Sequence, residues 1–500
     1  MYAGIDIGTS GVKTVLVDED GHLVACATAR LTVSRLHDGW SEQHPEEWWQ
    51  AVSATLDELA AHHGGAMSAL RGIGLSGQML GVVLVDRSDK PLRPAILWND
   101  GRAVEECALL KTRLPDIGRR GCADPDPGFG APKLLWLARH EPEVIERTDC
   151  LLLPKDYVRL KFTGERGTEP SDASGTLLFD NGRLDFARDM ADAAGFPMAK
   201  LPPLGRAWQS MGMLRPQLAR RWGIASPVVV AGGAGDNLAC MLGIGAARPG
   251  RGVLTLGTSG VLCVATSDFR PIPGRGVQTP PHAAPGQYSS QGVVMSATSA
   301  LEWLAALTGA GAGQLDAEAA ALWDDPAGQE SAAAAPAFLA YLDGVRTPHA
   351  DTGLRAVADG LSLSTTRAML AWSVFEGVAL HLAEVAETQR AHGITPSSLQ
   401  LVGGGARSAI WPRMIASLLG VPLTLSKGRD NAAATGAARL AMTSVQGGDP
   451  LPVLEAEPER ERVVEPDDAL AAFLHERMAR QAALRVHAMK ANDSSRYHSA

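Results

Sequence analysis

Two carboxylates stand where carboxylates are costly. Asp6 interrupts an apolar run, YAGIDI, and Asp236 closes another, SPVVVAGGAGDN. An acid inside a strand packs poorly and calls for a cation beside it. Asp6 is followed by Gly8, Thr9, Ser10 and Gly11, with Lys13 just beyond. A Gly-Thr-Ser-Gly turn offers successive backbone N–H groups and two hydroxyls, with no bulky side chain in front of them. Such a concave array suits phosphate oxygens. The cation that would satisfy an acid at a phosphate loop is Mg2+ carried by a nucleotide. Asp236, at the end of its strand, is placed to take a proton from an attacking hydroxyl, and Asn237 to orient that hydroxyl. Together these parts describe phosphoryl transfer, which rests on positioning and electrostatics, with a base contributing about 10²–10⁴-fold. Each part alone has a plainer reading. Glycine and serine favour ordinary hairpin turns, and Asp236-Asn237 also fits an Asx turn capping the following helix.

The loop is written twice. GTSGV at 8–12 recurs at 257–261, inside LTLGTSGVLCVAT, as Gly257, Thr258, Ser259, Gly260 and Val261. The copies differ at one telling place: the counterpart of Asp6 is Thr255. A third glycine-rich stretch, GGGARS at 403–408, includes Gly404 and Gly405. It joins an expected strand to an expected helix. Glycines there let a flat ligand approach the backbone, and a helix N-terminus favours anions.

Residues 2–7, 12–18 and 22–33 read as three strands of an antiparallel meander. A helix follows over HPEEWWQAVSATLDELAAHH, with Pro45 in its first turn and Trp49, Val52, Leu56 and Leu59 on one face. Residues 70–76 and 81–86 are expected strands, as is the run before Gly232. Then the pattern restarts, with strands at 253–257 and 261–267 and a helix over about 298–308. A long helix is expected over 365–391, with Leu370, Val374, Val378 and His381 in one stripe. Residues 309–335 read as loop apart from a helical stretch at LDAEAAALW, and the polar tail from 487 as frayed. The expected fold is therefore α/β: two duplicated domains, 1–244 and 245–486, with a hinge near 243–252, a deep cleft between them, and a tail over 487–500. Clefts between domains are favoured ligand sites.

Five hundred residues exceed one hydrophobic core, which agrees with two domains. The net charge of −9 offers no footprint for nucleic acid or an anionic membrane. No signal-peptide pattern opens the sequence, and no 18-residue apolar stretch lacks charges. The six cysteines are scattered without a CxxC pair, as expected of free thiols in a reducing compartment, so a cytoplasmic location is expected.

IDIGTSGVK, SGQMLG, PAILWNDGR, APKLLW, LLPKDYVRLKFTGE, PSDASGT, VVAGGAGDN, LTLGTSGV, RTPH, FEGVAL, VGGGARS and ATGAARLA resemble, in order, the motifs of the FGGY carbohydrate kinases. The resemblance spans nearly all of residues 2–445, and the bacterial xylulokinase branch is most similar. It implies two actin-like (ribonuclease H-like) domains around a cleft, ATP and Mg2+, and phosphorylation of the terminal 5-hydroxyl of a pentulose, D-xylulose first. Residue by residue it implies Asp236 as base, with Asp6 beside it at the metal. Gln78, Met79, Leu80, Trp98, Asp236 and Asn237 fall at the sugar. The nucleotide falls to Gly8, Thr9, Ser10, Lys13, Gly257, Thr258, Ser259, Thr298, Gly404, Gly405 and Ala409. Family members are often homodimers. Three positions depart from the pattern: Leu80 where a histidine is usual, Val345 before Arg346 where a glutamate is usual, and Gly130 where a hydroxyl is common. They leave L-xylulose, ribulose and pentitols open as substrates. An actin-like ATP-driven switch without sugar turnover is the alternative of another class, and SGQML and GDNL, as sugar-pocket residues, weigh against it.

Overall fold

The computed structural model describes residues 1–498. Two mixed sheets are laid out alike. In the first, β1 (Tyr2–Ile7), β2 (Gly11–Val17) and β3 (Leu23–Arg30) form an antiparallel meander, and β4 (Gly72–Gly77) lies parallel to β1. Beyond β4 the sheet ends in an antiparallel pair, β5 (Ser210–Met213) and β6 (Val229–Ala231), with β6 parallel to β4. In the second, β7 (Arg251–Leu256), β8 (Gly260–Thr266) and β9 (Tyr288–Val294) repeat the meander. Then β10 (Ser398–Val402) and β11 (Leu423–Ser426) follow in parallel, and β12 (Arg460–Val464) closes the edge antiparallel. The meanders need only short turns, whereas each parallel step needs a crossover that carries helices onto the sheet faces. Asp6 and Thr255 hold the same place, fifth in β1 and in β7, and both are only partly buried.

The first half carries α1 (Pro45–His62), α2 (Gly130–His140), α3 (Pro154–Thr163) and α4 (Asp236–Gly243). Pro45 opens α1 and Glu46 and Glu47 complement its N-terminus. The buried stripe is Trp48, Val52, Leu56 and Leu59, so Trp48 takes the place expected of Trp49. Trp49 lies at the edge, against Phe162 and Trp222. The second half carries α5 (Thr298–Thr308), α6 (Ala312–Asp324), α7 (Pro326–Ala333), α8 (Arg367–Arg390), α9 (Trp411–Leu419), α10 (Ala432–Gln446) and α11 (Asp468–His498). Two readings of the sequence are corrected. Residues 309–335 hold two helices, α6 and α7, because alanine is the strongest helix former and Asp325 caps α7. The backbone from 487 continues α11 up to His498. Among the described residues one helix, α8, is long and apolar enough to cross a membrane, but 83% of its most apolar window is buried inside the protein, as the spine of the second core. All six cysteines are unpaired.

The halves exchange helices at their junction. The end of β11 leads into α10, which packs against β1 and β4 of the first sheet. In turn α4 packs against α10, and its largely first-half core takes in Val253, Cys263 and Val402 of the second. The two helices cross at Gly243 and Gly436. A Cβ on Gly243 would stand 1.8 Å from the Ala432 carbonyl oxygen, and one on Gly436 equally close to that of Ala239. No other residue permits so close an approach.

Candidate active site

Asp236 is the first residue of α4, so the strand-to-helix turn aims its carboxylate at the junction. Burial raises its pKa to about 7, helped by the negative charge of Asp6, while the Asn237 amide hydrogen bond opposes the shift. The adjacent amide of Asn237 donates to Asp236 Oδ1 at 2.7 Å; this is not the helix-capping Asx turn, since the N-cap is Gly235 and no side chain caps the helix. Asp6 is raised by burial too. It accepts a hydrogen bond from Ser76 Oγ (2.8 Å) and lies across the β1–β2 pair from Lys13, whose charge opposes the shift. Asp6 and Lys13 line a cavity of about 190 Å³ together with Cys240, Gly403 and Gly404. Lys13 Nζ reaches the Asp430 carbonyl of the second half at 2.5 Å.

Both GTSG loops spend their first glycine amide internally: Gly8 donates to the Gly11 carbonyl and Gly257 to that of Ser259. Among the described residues no acceptor faces the amides of Thr9 and Ser10, or of Thr258 and Ser259. The second loop also fixes the start of α5. The Gly257 carbonyl accepts from the Thr298 amide (2.9 Å) and that of Thr258 from the Ala297 amide (2.8 Å). Thr298, Gly404 and Gly405 then line a further cavity of about 370 Å³, walled by α6, Ser408 and Trp411. Gly404 belongs to both cavities, so they adjoin at the GGGARS turn. Ala409 stands beside this wall, with its amide held by Asp316 (2.8 Å). Asp316 also accepts from Ser408 Oγ at 2.5 Å. Nothing local marks Asp316 in the sequence, because its role depends on α6 meeting a loop about ninety residues later.

The first loop is wired to the wall that carries Gln78 and Trp98. Thr9 Oγ1 donates to Gln78 Oε1 (3.0 Å) and accepts from Trp98 Nε1 (3.0 Å). Gln78 Nε2 donates in turn to Gln43 Oε1 (2.8 Å), which also accepts from Trp48 Nε1. The Gln78 amide is thus committed to setting Thr9 and Trp98. Met79 wraps Gly235, directly before Asp236. Leu80 holds a left-handed φ of 69°, rare for leucine, and its side chain packs on Gly175. Its carbonyl accepts from the buried Lys133 Nζ (2.9 Å), which also donates to Gly128 (2.6 Å). Burial lowers the Lys133 ammonium to about 7. Asn237 Nδ2 reaches Gln291 Oε1 of the second half at 3.4 Å.

A fully buried charge cluster braces the turn before Asp236, and sequence reasoning did not assign it. Lys155 Nζ contacts Asp156 (2.9 Å), Glu169 (3.3 Å) and Asp172 (3.2 Å). Arg159 joins Asp156 and donates to the Gly232 carbonyl (3.0 Å), while Ser171 Oγ, bonded to Glu169, accepts from the Gly235 amide (3.3 Å). Two cations face three acids, and burial raises both Asp172 and Glu169, with Lys155 opposing the shift in each. The charge of LLPKDYVR and PSDAS was the one available signal.

Duplicated sheets, exchanged helices and two carboxylates beside paired phosphate-type loops define a two-lobed α/β protein of the actin-like, ribonuclease H-like kind. The N-terminal domain model of the FGGY family of carbohydrate kinases matches residues 1–243, and its C-terminal domain model residues 252–445. The chain belongs to that family, and is a sugar phosphotransferase. It is 42% identical to the xylulose kinase of Escherichia coli K12, over 88% of this chain and 89% of that one. To the xylulose kinase of Klebsiella pneumoniae it is 41% identical, over 94% and 96%. Among solved structures, a xyloylose kinase from Brucella ovis superposes with a TM-score of 0.91 at 40% identity, covering 98% of this chain and 99% of that chain. A xylulose kinase from Rhodospirillum rubrum gives 0.88 at 30%, with the same coverage.

Proposed function

We propose that the protein transfers the γ-phosphoryl group of ATP to the terminal 5-hydroxyl of D-xylulose, giving D-xylulose 5-phosphate. The supporting observation is Asp236, held near neutrality at the helix start beside Asp6, in a chain 42% identical to a xylulose kinase. Asp236 accepts the hydroxyl proton, the hydroxyl oxygen forms its bond to the γ-phosphorus, and the bond to the β–γ bridging oxygen breaks, releasing ADP. A carboxylate titrating near 7 is ionised for half or more of its time at neutral pH and still basic enough to take a proton. The first half, 1–244, holds the sugar along Met79, Leu80, Trp98 and Asn237. The second half, 245–486, holds the nucleotide base against Thr298, Gly404, Gly405 and Trp411. The amides at both GTSG tips and Lys13 receive phosphate oxygens. Asp6 and Asp236 form an oxygen donor pair with a shortage of positive charge, which fits Mg2+. When bound, that ion would offset the charge of the carboxylates and phosphates. Closure of the halves excludes water and limits wasteful ATP hydrolysis.

The test is ADP release with MgATP over D-xylulose, L-xylulose, ribulose, pentitols and glycerol, beside Asp236→Ala. Strong turnover with D-xylulose, absent in the variant, supports the reading. Preference for another polyol keeps the mechanism and changes the substrate. Turnover with no sugar above the basal rate overturns it.

A further inference from the structure

A cavity of about 610 Å³ lies on the far end of the helix that begins with Asp236. Its floor is the crossing of α4 and α10: Gly243 and Ile244 at the end of α4, and Thr435 and Arg439 on α10. One wall is the 19–23 turn of the first half; the other is 427–431 and 452–459 of the second. A change in the angle between the halves therefore changes its width. An eight-residue helix spans about 12 Å, so the cavity sits about that far from the Asp236 carboxylate.

Its charges are matched with one exception on each side. Lys427 pairs with Glu459 (2.5 Å) and Arg429 with Glu461. Glu457 pairs with Arg251 (2.5 Å) and Arg460 (3.2 Å), and Glu19 with Arg71 (3.2 Å). Asp20 is unpaired with any cation but sits on the exposed turn. Arg439 has no carboxylate partner among the described residues, although it is partly buried. Its Nη1 donates to the Leu242 carbonyl in the last turn of α4. Burial lowers its pKa with no neighbouring charge to offset the effect, so an anion here would be welcome. The remaining guanidinium edge matches two phosphate oxygens, as arginine does by geometry. The cavity has room for more than a free anion.

We propose that this hinge cavity is a regulatory site for a small phosphate ester, bound by Arg439, whose occupancy alters turnover by fixing the 19–23 turn of the first half against the 427–431 wall of the second. Because Arg439 also holds Leu242, the ligand is coupled to the helix that carries Asp236.

The test uses the full-length protein with D-xylulose 5-phosphate and, separately, inorganic phosphate in calorimetric titrations. Wild type should bind the ester at two sites, one of them lost or weakened about tenfold or more in Arg439→Gln. Gln446→Trp, an exposed position that narrows the same cavity, should weaken that site too and serves if Arg439→Gln misfolds. Turnover at saturating ATP and sugar should change with the ester in wild type only; product competition at the sugar site should persist in both variants. The kinetic arm rests on the kinase reading and the calorimetric arm does not. Equal binding of free phosphate would assign the site to inorganic phosphate and overturn the ester. Ester binding in wild type that includes no site lost or weakened in Arg439→Gln and Gln446→Trp would overturn the proposal altogether.

Discussion

Replacing Asp236 with asparagine should make the protein more stable and inactive at once. Burial and Asp6 raise the Asp236 pKa from 3.8 to about 7. The native state therefore binds this proton more tightly than the unfolded chain. The associated stability is complete below about pH 3.8 and is lost as pH rises to about 7; above that the cost is constant. Three pKa units set a ceiling of about 4 kcal/mol. Partial exposure of Asp236 and relaxation around it reduce the expected gain to about 1–3 kcal/mol at pH 8. Asparagine keeps the shape and the bond to the Asn237 amide while removing the charge. In a domain of about 250 residues this corresponds to a Tm higher by about 2–10 °C. Thermal unfolding without nucleotide, at pH 8 and pH 5.5, should show the gain at pH 8 and a smaller one at pH 5.5. Turnover at pH 8 should fall by about 10²–10⁴-fold. An unchanged or lower Tm at pH 8 would refute the claim that the site holds Asp236 under strain. Retained turnover would refute its role as base.

Asp6→Asn removes a charge that raises Asp236. The acidic limb of the pH profile of kcat/KM should therefore move to lower pH by about half a unit to one unit, with lower rates throughout; a limb that stays or moves up contradicts the coupling. Gly436→Ala places a Cβ 1.8 Å from the Ala239 carbonyl oxygen. It should destabilise by about 1–3 kcal/mol or more and reduce turnover with sugar binding partly kept, read by denaturant melts and steady-state kinetics. Thr9→Val breaks the bonds to Gln78 and Trp98. It should cost about 1–3 kcal/mol and raise the KM for sugar as well as for ATP, because the loop and the pocket wall share that hydroxyl; a change confined to ATP would separate them.

The parts of the molecule legible in the sequence are those whose causes are local. Strand, GTSG turn and strand lie within sixteen residues, so the hairpin that opens each half could be read directly, as could the first-turn proline of α1; β9, the third strand of the second meander, was missed, and α8 is buried on nearly every face rather than along one stripe. One residue of helical phase, about 100°, separates Trp48 from Trp49, and two adjacent tryptophans give a periodicity argument nothing to choose by. The 309–335 stretch failed for another reason: Gly309, Gly311 and Gly313 suggested loop, and alanine carries high helix propensity but no amphipathic pattern. Asp316, Lys155 and Glu169 act on turns about 60 to 90 residues away. Their chemistry was visible in the sequence, but not their destinations.

The exchange of α4 and α10 was illegible for the same reason, yet it links the remaining observations. Asp236 begins a helix whose core is mostly that of the first half but is completed by Val253, Cys263, Val402 and α10 of the second. Asp6 lies on the first sheet, against which α10 packs from the second half, and Gly4 and Gly74 leave no room for a Cβ between them. The two carboxylates are therefore fixed relative to each other by the tightest contacts in the molecule. Their neighbours, Gly404 and Thr298 on one side and Met79 and Trp98 on the other, ride on separate halves. On the proposed reading, rotation of the halves would bring nucleotide and sugar together about this pair. That division explains why glycine stands at the crossing point: flexibility lies in how the lobes swing around the pair, not in the pair itself.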